Sequence, residues 1–235
     1  TNAIIAKLEA GTSPWRKPWT TANDISRPMR ACGKPYRGIN TVWLWSVAED
    51  RGYTIPTWMT FRQALALGGH VRKGERGTIA IFYKSYGKTE SDPATGEETT
   101  SARRMLRTYT VFNVAQIDGL PDRFVTPPAP RSIPNEQHRA EIDAFIAASR
   151  ATIISGGGRA CYVPGLDVIH MPVWQDFESY AHYGAVAAHE LSHWTGHPSR
   201  LDRDLRNGFG SKAYAAEELV AELSSAILGA ELGLP

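Results

Sequence analysis

Near its C-terminal end the chain reads His189-Glu190-Leu191-Ser192-His193-Trp194-Thr195-Gly196-His197. Residues four apart on an α-helix share one face, about 6 Å apart along the axis. His189 and His193 can therefore aim two imidazoles at one metal ion. Glu190 lies beside the pair, where its carboxylate can take a proton from a water at that ion. This spacing points to metal-assisted hydrolysis, with one zinc ion as the cofactor. The competing reading is a surface helix that carries two unrelated histidines.

The elements that must position these groups are legible around them. A helix is expected from Ser179 to Trp194, anchored by Val186, Leu191 and Trp194, with Gly196 as its C-cap and Pro198 just beyond. His197 lies eight residues from His189, about 12 Å along an unbroken helix, so it can only support the site from behind a ligand. A catalytic zinc needs three protein ligands and one open position. The stretch from Tyr214 to Leu223 offers carboxylates on a second helix, whose Leu219, Val220, Leu223 and Ile227 recur at helical spacing and should face the core. Glu218 is the expected third ligand, with Glu217 as its competitor. Glu222, four residues on, is the carboxylate expected to hold a ligand histidine in its tautomer. Together these residues resemble a gluzincin arrangement. The plainer alternative is a solvated acidic face.

At 235 residues the chain has room for two domains. No apolar run approaches membrane-spanning length and the N-terminus lacks a signal-peptide core, so the expectation is a cytoplasmic protein with no membrane partner. The two cysteines, Cys32 and Cys161, fall in different halves and read as reduced thiols. Charge divides the chain: residues 1–126 hold 18 Lys and Arg against 11 Asp and Glu, residues 127–235 hold 8 against 13. A basic first half suggests a polyanionic partner.

That first half begins with a short amphipathic helix, then interleaves aromatics and cations: Trp15, Arg16, Lys17, Trp19, Arg30, Lys34, Tyr36 and Arg37. Such a mixture suits single-stranded DNA, with bases stacked on rings and cations tracking phosphates. The competing role for the tryptophans is as core anchors. Helices are expected at 39–51 and, capped by Thr60, at 61–67. The basic turn with Arg72 and Lys73 leads into a strand at 78–83, and a return strand runs from 104 to 114. The polar segment between them, 87–102, reads as a mobile loop. This is a small α+β domain, 1–126, around an antiparallel sheet.

Residues 127–134 are proline-rich and read as a linker. The second domain, 135–235, opens with a helix at 135–149 and a strand at 152–154. The glycine run 156–158 lacks the spacing of a phosphate loop. Residues 160–164 and 167–172 read as a hairpin. The strand just before the histidine helix could act as an edge that pairs with an extended peptide substrate. The fold class is thus α+β in two domains.

Taken together, the motifs resemble the ArdC family of antirestriction proteins. The matching stretches are 9–19, 36–40, 58–64, 68–74, 111–116, 189–197 and 217–222, so the resemblance covers essentially the whole chain. It implies an N-terminal single-stranded-DNA-binding domain shared with plasmid primases and a C-terminal zincin-like metallopeptidase domain. Its implied role is protection of incoming DNA from host restriction, in which the host restriction machinery could supply a protein or peptide substrate. Members of that family usually continue with further helices, and this chain begins without methionine, so a longer protein is expected. A second reading makes the protein a single-stranded-DNA coat whose metal domain is structural or inactive. Hydrolysis of DNA fits less well, because nucleases more often pair two ions.

Overall fold

The computed structural model describes residues 27–91, 98–126, 135–205 and 211–235. The stretch containing Trp15, Arg16, Lys17 and Trp19, the expected first helix and the proline-rich 127–134 segment lie outside them. The described residues form two compact units, 28–126 and 135–235, with Arg27 assigned to the second.

In the first unit β1 (Met29–Arg30), β2 (Thr57–Met59), β5 (Glu98–Asn113) and β4 (Thr78–Ser91) form a sheet in the order β1-β2-β5-β4. The sheet is not purely antiparallel, because β1 runs parallel to β2. Helix α1 (Ile39–Arg51) ends at Gly52, whose φ of 66° is the left-handed cap a glycine adopts without strain. Helix α2 (Phe61–Ala66) starts in a capping box: Thr60 accepts from the Gln63 backbone N–H and Gln63 reaches back to the Thr60 N–H. A small antiparallel ribbon joins β3 (His70–Val71) to β6 (Ile117–Asp118).

Leu44 and Val47 of α1 pack with Tyr36, Trp58, Ala80 and Val111 in one buried cluster. The same helix closes the outer edge of β4. The Asn40 amide donates to Ile81 O at 2.7 Å and accepts from Ile81 N at 2.8 Å, and Trp43 Nε1 donates to Ile79 O at 3.0 Å. A free strand edge is a site of unwanted pairing, and here side chains satisfy it.

The expectation of a loop over 87–102 needs correction. Antiparallel pairing continues from Gly87↔Ala102 out to Ser91↔Glu98. The polar residues there include several β-branched threonines, and a ladder already in register extends through them at little cost.

In the second unit α3 (Asn135–Ser149) precedes a three-stranded sheet of β7 (Thr152–Ser155), β8 (Cys161–Val163) and β9 (Val168–Met171). Its order is β7-β9-β8, with β7 parallel and β8 antiparallel to β9. The strand just before the histidine helix is therefore central, contrary to expectation, and β7 and β8 are the edges. Helix α4 (Tyr180–Trp194), capped by Ser179, follows, and then α5 (Lys212–Leu232), capped by Ser211.

Ala187 and Leu191 of α4 are buried with Ile169 and Met171 of β9. Gly184 lets α3 come close: a Cβ there would lie 3.0 Å from Ile142 Cγ2. On α5 the buried positions are Ala221 and Gly229, whereas Leu219 and Val220 are exposed. Small residues let α5 approach its neighbours closely, and the predicted apolar stripe is divided, with Leu223 and Ile227 half-buried. Among the described residues no helix is long and apolar enough to cross a membrane.

Candidate metal centre

Helix α4 presents His189 and His193 on one face, with their Nε2 atoms 3.1 Å apart. Glu218, on α5, approaches both: Oε2 is 3.5 Å from His189 Nε2 and Oε1 is 3.6 Å from His193 Nε2. One ligand atom from each of the three residues lies within 4.8 Å of the others, the only such group of three or more His, Cys, Asp or Glu among the described residues. Tetrahedral zinc with Zn–N bonds of about 2.0–2.1 Å sets its ligand nitrogens roughly 3.3 Å apart, close to the separation seen here. Two imidazoles and one carboxylate suit zinc, so the residues fit a single ion.

The orientation of His193 is set by a group behind it. Glu217 Oε1 sits 3.2 Å from His193 Nδ1. A proton on Nδ1 donated to that oxygen leaves the Nε2 lone pair facing Glu218. Glu217 is in turn gripped by Arg203, whose Nε donates to Oε2 and Nη2 to Oε1, both at 2.8 Å. Arg203 also donates to Thr195 Oγ1 and Ser192 O, at the end of the histidine helix. Burial pushes the Glu217 carboxyl up, but hydrogen bonds from Arg203 and His193 outweigh it and hold the group below the usual carboxylate range. At His193 the orienting carboxylate is thus Glu217, where Glu222 was expected. Adjacent helix residues point about 100° apart, so Glu217 and Glu218 divide the two roles between them. Glu222 stands one turn beyond Glu218, half-buried.

Glu190 is 8% exposed, and its Oε2 accepts from the backbone N–H of Tyr162 on β8 at 2.7 Å. The edge strand thereby fixes the carboxylate next to His189. The Tyr162 hydroxyl donates to Asp167 Oδ1 at 2.9 Å, and Arg200 clamps Asp167 through both Nη atoms. Burial, then Asp167, pushes Tyr162 up to about 12. The Arg200 guanidinium also lies 3.7 Å from the centre of the Trp194 ring.

Tyr162, Tyr180 and His197 are residues of types that could steady an oxyanion, and each has another engagement here. Tyr162 meets Asp167, Tyr180 donates to Asp143, and His197 Nδ1 lies 2.8 Å from Ser199 Oγ. The residue that sequence reasoning passed over is Tyr214. Its hydroxyl hydrogen-bonds to Glu218, and that bond, burial, and the charges of Glu218 and Glu190 all push its pKa up. Its position in the first turn of α5, four residues before Glu218, was the available signal. Arg203 carried none, being one arginine in a turn.

Gly196 was expected as the C-cap. The cap is Thr195 in the right-handed region, and Gly196 is not among the glycines with positive φ. It is there for space: a Cβ would lie 2.9 Å from Leu205 Cδ2, 3.0 Å from Arg203 Nη2 and 3.1 Å from His193 O.

The expected DNA-contacting residues divide. Arg30, Lys34, Arg37 and Lys73 are exposed. Arg72 is engaged by Glu75 at 2.8 Å, Asp118 at 3.2 Å and Ala115 O at 2.6 Å. Tyr36 is 2% exposed, so its ring cannot serve a base. Arg30 covers it at 5.3 Å, and burial first, then Tyr109, pushes its pKa far up.

Fold and site define a zincin-like metallopeptidase domain that follows a separate α+β unit in the chain, and known proteins agree with that class. Residues 140–235 match the zincin-like metallopeptidase profile MPTase-PolyVal, and residues 1–112 match the N-terminal domain of anti-restriction factor ArdC. The antirestriction protein ArdC of the R388 plasmid, solved metal-free, is 46% identical over 99% of this chain and 80% of its own, with a TM-score of 0.77. Its Mn(II)-bound structure matches at 44% identity over 99% and 79%, with a TM-score of 0.76. The chain belongs to the ArdC family of antirestriction proteins. The uncharacterized protein y4eC of Sinorhizobium fredii is 41% identical over the whole chain and 76% of its own length. A DNA primase TraC of Escherichia coli is 43% identical over 98% of this chain, which spans only 22% of that primase.

Proposed function

We propose that this is an antirestriction protein of a mobile element, in which residues 1–126 bind single-stranded DNA and residues 135–235 hydrolyse peptide bonds at one zinc ion, protecting incoming DNA from host restriction. The observation that carries the catalytic part is the convergence of His189 Nε2, His193 Nε2 and the Glu218 carboxylate beside a buried Glu190. The basic balance of the first half supports the DNA part.

His189, His193 and Glu218 would hold the ion, which when bound acts as a Lewis acid toward water and carbonyl oxygen. Glu217 keeps the proton of His193 on Nδ1. Glu190, with one oxygen anchored by the Tyr162 N–H, uses its carboxylate to take a proton from the attacking water and to pass it to the leaving nitrogen. The edge strand β8 lies beside this carboxylate and offers backbone groups to an extended substrate. The Tyr214 hydroxyl stands near both carboxylates.

Glu190→Ala in the full chain tests the reading. Loss of metal-dependent peptide hydrolysis and of restriction protection, with DNA binding kept, supports it. Undiminished protection would favour the alternative of a DNA coat with a structural metal domain. Titration with zinc and with manganese separately decides which ion the site prefers. Binding of a fluorescent single-stranded oligonucleotide should weaken steeply as salt rises, and a flat response would remove the DNA part.

A further inference from the structure

Strands β4 and β5 pair over fourteen positions, from Thr78↔Val111 to Ser91↔Glu98. Only the first few pairs belong to the core, where Thr78, Ala80 and Val111 are buried. From Phe82 outward the ladder carries large side chains into solvent: Phe82 is 44% exposed, Tyr83 58%, Tyr86 45% and Leu106 67%. Side chains alternate across a strand, so Phe82, Lys84 and Tyr86 share one face, spaced about 6.6 Å apart. The register sets Phe82 opposite Arg107 and Lys84 opposite Met105, and on the other face Tyr83 opposite Leu106.

We propose that this arm is the platform on which single-stranded DNA stacks, with Phe82 and Tyr86 as the base-stacking rings and Lys84 and Arg107 as the phosphate contacts. The inference rests on the reading that the N-terminal half binds single-stranded DNA, and it names a surface for it. Exposed rings alone would equally suit a protein partner. The charge favours DNA: the fourteen pairs carry five cations, Lys84, Lys88, Arg103, Arg104 and Arg107, and the two carboxylates, Glu90 and Glu98, fall only in the outermost two pairs, away from Phe82, Lys84, Tyr86 and Arg107. Rings alternating with cations on a sheet face fit a strand whose bases are free to stack. In a duplex the bases already stack on each other. Pairing of a peptide along β4 is opposed near its start, where Asn40 and Trp43 occupy the outer edge.

The test uses the full chain with Phe82→Leu and Tyr86→Leu combined, and separately Lys84→Gln with Arg107→Gln. Binding of a fluorescent oligothymidylate is followed by anisotropy across a salt series, and circular dichroism and melting temperature report folding. Loss of the rings should weaken binding roughly 5- to 150-fold for each stacked base and leave the salt slope unchanged. Loss of the two cations should reduce that slope by about 1.4. Phe82→Trp, which keeps a stacking ring, should bind at least as well as the parent, and it serves as the measure if the leucine pair misfolds. Parent-like binding by the folded leucine pair overturns the proposal while the DNA reading stands, as does a Phe82→Trp variant that folds but no longer binds. Absence of binding by the parent chain defeats the DNA reading itself. Equal loss for duplex and single strand also overturns the proposal, because stacking would not be the contact.

Discussion

Glu217 Oε1 stands 3.2 Å from His193 Nδ1 while Arg203 holds both oxygens of the same carboxylate at 2.8 Å. An imidazole of the candidate metal site is thus tied, through one carboxylate, to an arginine that also ties down the end of its helix. The tautomer and the ring orientation of His193 depend on a carboxylate adjacent in the chain to Glu218.

Removing the charge at Glu217 should loosen the metal. Glu217→Gln keeps the size of the side chain but gives Arg203 and His193 a weaker acceptor. Zinc affinity, measured by competition with a chelating indicator, is expected to fall roughly 10- to 100-fold. Unchanged affinity would mean that Glu217 does not orient the ligand.

Gly196→Ala should destabilise the second unit by about 1–3 kcal/mol through overpacking. The added methyl would press on Leu205, on a guanidinium held by several hydrogen bonds, and on the His193 carbonyl. Urea denaturation of the variant checks this. Parent-like stability would show that Arg203 and Leu205 yield freely.

Asn40→Ala should cost the first unit about 1–3 kcal/mol, because Ile81 N and O lose a paired side chain at a part-buried edge. The uncovered edge of β4 should also promote self-association, read by light scattering. A variant that stays monomeric and equally stable would contradict the edge-capping role.

Acid should weaken the Asp167 clamp. Hydrogen bonds from Arg200 first, and then from Tyr162, hold its carboxyl below the usual range against the opposing effect of burial. The folded value is therefore lower than the unfolded one of about 4. Its stabilisation is present above about pH 4 and is lost as pH falls through the lower folded value. Asp167→Asn should flatten the fall in stability between about pH 5 and pH 2. Some slope will persist, because Glu75 in the first unit is lowered in the same sense by Gln116 and Arg72. Denaturant midpoints measured across pH decide it, and an unaltered slope would remove Asp167 from the account.

What the sequence determined was local. Histidines four apart must share a helical face, Thr60 followed by Gln63 must cap, Gly52 must end α1, and the ranges of α1 and α3 follow from such signals. Hydrophobic periodicity was weaker on α5, where Leu219 and Val220 face out and Ala221 faces in. The difference is rotational: a helix of mixed small and apolar residues can dock on more than one face, and the neighbour's shape selects it. The same rotation assigned Glu218 to the histidine pair and Glu217 to the His193 Nδ1. Tertiary structure alone brought Tyr162 N–H to Glu190 across 28 residues and Arg203 to Glu217 across 14. A backbone amide and a turn arginine have no spacing rule, because their partners are set by how whole elements pack.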